Sequence, residues 1–167
     1  MARTVKMRGE PLELAGNELK VGDKAPNARL RKNLKEDFEL KQTAGKTRIY
    51  SVVPSLDTPV CAAQTKRFMQ EAATIPNVQI VTVSVDLPPA MSRFCAAEGL
   101  GDKVMLLSDY KDADFGQKYG TLIPSMRINT RAVFVVDKDD TVRYAEYVPE
   151  ISEHPNYEAI LKAARSA

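Results

Sequence analysis

Two apolar, β-branched stretches joined by a helix-length segment restrict the fold of this chain more than any other feature. Ile49-Tyr50-Ser51-Val52-Val53, within a strand reading from Arg48 to Val53, is followed by a helical pattern over Pro59 to Thr74 and by a second apolar strand, Val78 to Val85. Strands that lack polar alternation need cover on both faces, and two of them joined through a helix lie parallel by a right-handed crossover. A further helix, Pro88 to Glu98, and a strand, Val104 to Leu107, continue the alternation. A layered α/β sheet is the fold class this order implies.

The flanking segments have a different rhythm. Thr4 to Arg8 and Pro11 to Leu14, separated by Gly9-Glu10, read as an N-terminal β-hairpin, and Ala28 to Arg31 with Phe38 to Leu40 read as a second strand pair. Asp112 to Tyr119 is a short helix stopped by Gly120. Ala132 to Val136 and Val142 to Tyr147 flank the polar connection Asp137-Lys138-Asp139-Asp140-Thr141, and Tyr157 to Arg165 closes the chain as a helix with Ile160 and Leu161 inward.

With 167 residues and 44% hydrophobic content, the chain is expected to form one domain over 1–167. Its 24 basic and 22 acidic residues are interspersed, which gives no electrostatic case for a nucleic-acid or membrane partner. The densest basic group, Arg29, Arg31, Lys32 and Lys35, reads as a solvated strand and turn. No apolar run reaches membrane-spanning length, and Met1 to Lys6 lacks the apolar core of an export signal, so a cytoplasmic location is expected. Two cysteines and one histidine are too few for a zinc cluster of the usual kind, and neither a dinucleotide fingerprint nor a P-loop occurs, so no metal and no organic cofactor is expected.

The chemistry concentrates in Pro54-Ser55-Leu56-Asp57-Thr58-Pro59-Val60-Cys61. Thr58 suits the N-cap, Pro59 the first helical position, and Cys61 then falls third in the helix. Unpaired backbone N–H groups and the positive end of the helix dipole gather there, and both favour a thiolate over a thiol. Asp57 would oppose this unless it points outward. The alternative for Cys61 is an inert core cysteine.

Read as Pro-x-x-x-Thr-x-x-Cys, this segment resembles the peroxiredoxins, within them the bacterial thiol peroxidase branch. Val21-Gly22-Asp23-Lys24-Ala25-Pro26, Ser92-Arg93-Phe94-Cys95-Ala96-Ala97-Glu98-Gly99-Leu100 and Arg131-Ala132-Val133-Phe134-Val135-Val136-Asp137 extend the likeness along nearly the whole chain. The resemblance implies a thioredoxin-like fold, with a central mixed sheet flanked by helices and an N-terminal β-hairpin extension. It also implies a peroxidase reducing hydrogen peroxide and organic hydroperoxides. Cys61 would be the nucleophile and become a sulfenic acid, and Cys95 the resolving thiol that forms an intrachain disulfide with it. Thioredoxin is the implied reductant, and a homodimer the implied assembly.

Three further residues receive roles from the same resemblance. Thr58 would cap the helix and also donate to the sulfur or to a peroxide oxygen. Pro54 would shield the thiolate from water, and Arg131 would set a guanidinium beside the sulfur. Each has a plainer reading: a simple cap, a strand terminator, an exposed edge charge. Cys95, with Met91 and Phe94 at helical spacing, could equally be packing on an apolar stripe. A peroxidase using one cysteine, with Cys95 a bystander, and a redox-regulated binding protein without enzyme activity therefore stand as alternatives. His154 is the one histidine available as base for a cysteine hydrolase, and its polar loop reads as solvated surface.

Overall fold

A computed structural model describes residues 3–167, with Met1 and Ala2 outside the described residues. The apolar strands occupy the middle of a seven-stranded mixed sheet. β5 (Thr47–Val52), β6 (Val78–Ser84) and β7 (Val104–Ser108) run parallel, and every residue of β5 and β6 is buried. α1 (Pro59–Ala72) and α2 (Pro88–Glu98) make the two crossovers. Both helices open on Pro, whose missing N–H costs nothing at that position, and α2 ends on Gly99 in the left-handed region. On the outer side of β5, β10 (Ala132–Val136) pairs antiparallel and β11 (Val142–Tyr147) forms the edge.

The sheet is wider than the local pattern indicates. β3 (Arg29–Arg31) and β4 (Asp37–Glu39) form the expected pair, and β3 also joins the main sheet against β7 through Arg31 and Ser108, giving the order β11-β10-β5-β6-β7-β3-β4. The N-terminal hairpin is β1 (Arg3–Met7) with β2 (Glu10–Leu14), turned by Arg8 and Gly9 at φ 51° and 84°. Both turn residues are left-handed, as a two-residue hairpin connection requires. β8 (Leu122–Ile123) and β9 (Ile128–Asn129) add a small hairpin that no sequence pattern announces.

Strand alternation divides the core into two layers. Tyr50, Val81, Phe115, Tyr119 and Phe134 pack on one face, beneath α3 (Asp114–Tyr119). Ile49, Phe68, Ile80, Val133, Val135 and Ile160 pack on the other, beneath α1 and α4 (Tyr157–Ser166). α3 begins later than the expected Asp112 because Ala113 sits at φ 51°, outside helical geometry. The Asp109 carboxylate accepts from the Phe115 and Gly116 N–H groups at 3.0 and 2.9 Å, satisfying the start of that helix, while burial raises its pKa.

Candidate active site

Cys61 lies at the third position of α1, as the Pro-Val-Cys spacing requires, and its side chain is wholly buried against Val53, Leu56 and Met91. The strand that delivers the chain ends at Val52, and the loop from Val53 to Thr58 turns it into the helix. Asp86, just ahead of α2, accepts from Ser55 Oγ and Leu56 N at 2.8 Å each and from Ser84 Oγ at 2.7 Å. One carboxylate thus ties the loop that opens α1 to the loop that opens α2. Asp57 is exposed, in line with its expected outward direction.

Thr58 occupies the N-cap position, with φ −108° and ψ 148°, yet makes no side-chain cap bond. Its hydroxyl donates to the Ser55 carbonyl at 3.1 Å instead, and its own N–H points to the same oxygen at 3.4 Å. The expected contacts, acceptance from the helix and donation to the sulfur, are therefore not made. The tight Ser55–Thr58 turn offers the hydroxyl a nearer acceptor. The first-turn N–H groups of α1 are left without a side-chain cap.

Arg131 immediately precedes β10 and is 2% exposed, which excludes the edge-charge reading. Its three nitrogens make three bonds, two to α1 and one to the segment after β11. Nη2 donates to Cys61 Sγ at 3.2 Å, Nη1 to Gln64 Oε1 at 2.8 Å, and Nε to the Ile151 carbonyl at 2.8 Å. Gln64 is itself buried on α1 and donates through Nε2 to Ser51 Oγ on β5 at 2.8 Å. Sequence reasoning missed Gln64. The available signal was its spacing: three residues after Cys61, it shares that helix face. A guanidinium held at this distance favours negative charge on sulfur and on any oxygen leaving it.

A cleft of about 380 Å³ opens over this group, with Pro54, Thr58, Pro59, Val60 and Arg131 on the helix side. Met7 and Arg8 of the N-terminal hairpin, together with Ile151 and Ser152, form the opposite side. Pro54 is half-buried at the rim. Cys95 is partly buried on α2, where it lines a separate groove with Lys32, Met91 and Ser92. Both cysteines are free thiols, and Met91 of the Cys95 helix packs into the cluster around Cys61.

The remaining sequence candidates lie elsewhere. His154 is exposed and bonds to the Tyr157 hydroxyl at 2.7 Å, with no contact to Cys61. Of the basic group, Arg29 and Arg31 pair with Asp37 and Lys32 with Glu36, as a solvated strand and turn would. Among the described residues no cluster of His, Cys, Asp and Glu could hold a metal ion, and no helix is long and apolar enough to cross a membrane.

Comparison with known proteins agrees with this geometry. The redoxin family model matches residues 20–161. The chain is 51% identical over 157 residues to a thiol peroxidase of Oceanobacillus iheyensis, covering 94% of this chain and 95% of that protein. It is 46% identical to the thiol peroxidase of Bacillus subtilis, covering 97% and 96%. A peroxiredoxin-like protein from Aquifex aeolicus superposes with a TM-score of 0.90 at 40% identity, over 99% of this chain and 98% of that one. A thiol peroxidase from Chromobacterium violaceum shares the fold, with a TM-score of 0.88 at 23% identity over 98% and 95%. A buried cysteine at a helix start, a guanidinium on its sulfur and full-length likeness to such enzymes lead to one assignment: the chain belongs to the redoxin family, as a peroxiredoxin-type peroxidase of the thiol peroxidase branch.

Proposed function

We propose that Cys61 reduces hydrogen peroxide and organic hydroperoxides and that Cys95 resolves the product into an intrachain disulfide. The observation that carries the reading is the Arg131 guanidinium, which lines the cleft and bonds the buried Cys61 sulfur at 3.2 Å. The thiolate attacks the nearer peroxide oxygen, the O–O bond breaks, and the second oxygen leaves as hydroxide or alkoxide and takes a proton. Cys61 becomes a sulfenic acid. Arg131 and the uncapped N–H groups of α1 stabilise the charge that develops on the departing oxygen. Thr58, by rotating from the Ser55 carbonyl, orients the peroxide, and Pro54 keeps bulk water from the sulfur. Cys95 then displaces the sulfenic oxygen as water, forming the disulfide, and a thioredoxin-type dithiol reopens it. The whole chain acts as one domain, as a homodimer in the cytoplasm.

Peroxide turnover with thioredoxin and its reductase tests the scheme. Cys61→Ser is expected to abolish turnover, since an alcohol cannot replace a thiolate here. Cys95→Ser is expected to react once, accumulate oxidised Cys61 and lose cycling. Normal cycling by Cys95→Ser, without accumulation of sulfenic acid, would establish the one-cysteine alternative.

A further inference from the structure

The turn of the hairpin that completes the cleft is gripped by one carboxylate, beside a short backbone pairing. Glu150 Oε1 accepts from the Arg8 N–H at 2.9 Å and Oε2 accepts from the Gly9 N–H at 3.2 Å, so a single side chain grips both residues of the left-handed turn. Ser152 Oγ donates to Oε1 at 2.9 Å and fixes the carboxylate in place. Backbone bonds run the same way, from Lys6 N to Pro149 O at 2.7 Å and from Ile151 N to Lys6 O at 2.9 Å. Glu150 does not line the cleft itself, while its neighbours Ile151 and Ser152, the gripped Arg8 and the adjoining Met7 do.

The size of the cleft gives this grip a meaning. Hydrogen peroxide needs only the helix-side groups and Arg131, whereas about 380 Å³ is within the range that receives a small organic molecule. Met7 and Ile151, facing Pro59 and Val60, supply apolar surface for a carbon substituent. A two-stranded hairpin is marginally stable by itself, so its position depends on what anchors it. The geometry points to Glu150 as a positioning residue that sets selectivity between organic hydroperoxides and hydrogen peroxide, by holding the hairpin tip as the far wall of the substrate cleft. The inference rests on the peroxidase reading. Hydrogen bonding from Arg8 and Gly9 also lowers the Glu150 pKa, consistent with a carboxylate engaged as an acceptor.

The test compares kcat/KM for cumene hydroperoxide and for hydrogen peroxide in wild type, Glu150→Ala and Glu150→Gln. Wild-type turnover establishes the peroxidase reading independently of the variants. The ratio of cumene hydroperoxide to hydrogen peroxide efficiency is expected to fall roughly tenfold in Glu150→Ala, the size of a lost apolar contact, and to fall through KM rather than kcat. Glu150→Gln keeps the volume and one acceptor and should give a smaller fall, so it carries the test if the alanine variant does not fold. Amide exchange at Arg8 and Gly9 should quicken in the same order. An unchanged or raised ratio, or an equal loss for both peroxides, overturns the assignment of selectivity to Glu150. Absence of turnover in wild type overturns the peroxidase reading itself.

Discussion

Arg131 makes three directed bonds, two to side chains of α1 and one to the Ile151 carbonyl, and that geometry decides which substitutions it tolerates. A lysine ammonium keeps the charge but cannot reach Cys61, Gln64 and the Ile151 carbonyl together. Arg131→Lys is therefore expected to slow the first oxidation by roughly tenfold or more, about the effect of losing one charge-assisted hydrogen bond. Gln64→Leu, which frees one guanidinium nitrogen and leaves Ser51 unpaired, should slow it less. Stopped-flow oxidation by peroxide measures both, and a wild-type rate in Arg131→Lys would show that charge alone suffices. At this scale the sequence was legible where spacing dictates position: Cys61 had to be third in its helix once Pro59 was first. Thr58 shows the limit. Its cap position follows from local pattern, but its hydroxyl chooses between acceptors, and the Ser55 carbonyl wins only because the loop folds back on itself. Gln64 was hidden because a buried amide carries neither charge nor motif.

Among the elements, the starts of α1 and α2 share a fastening that no local pattern encodes. Asp86 accepts from both residues of the Ser55-Leu56 pair while standing at the entry to α2. Asp86→Ala should leave the Leu56 N–H and the Ser55 hydroxyl without that acceptor and cost about 1–3 kcal/mol. Denaturant unfolding measures the loss, and amide exchange at Leu56 places it. A variant as stable as wild type, with protected Leu56, would mean that water replaces the carboxylate. The starts of α1 and α2 were readable in advance because Pro and Thr are strong punctuation, whereas α3, without either, starts two residues later than its pattern implies. The β8–β9 hairpin was not, since two-residue strands are too short to show a period, and β3 docks on β7 through one residue pair that lies far away in sequence.

For the molecule as a whole, the proposed disulfide is the decisive event, because Cys61 and Cys95 sit on different helices as free thiols. Linking them would restrict the unfolded chain by about 4 kcal/mol in the entropy model. Bringing their Cα atoms to disulfide distance should also unwind part of at least one helix and break the packing of Met91 around Cys61, offsetting that gain. The oxidised protein is expected to melt little higher than the reduced one, or lower, with faster amide exchange at the start of α1 or around Cys95. A large rise in Tm with unchanged exchange would identify a structural bond instead. Two-sided cover of the sheet was legible in unbroken apolar strands, although the sheet's full width was not. That cover has a consequence for repeated use. The two cysteine-bearing helices, which the proposed disulfide would loosen, meet in the cluster of Cys61 and Met91, while the face beneath α3 is locked by Phe115 stacked on Tyr119 at 4.2 Å, with Tyr50 and Phe134 set edge-on to the Tyr119 ring. In the proposed cycle the disturbed half would refold against an unaltered template, so part of the structure could be lost many times without losing the information needed to restore it.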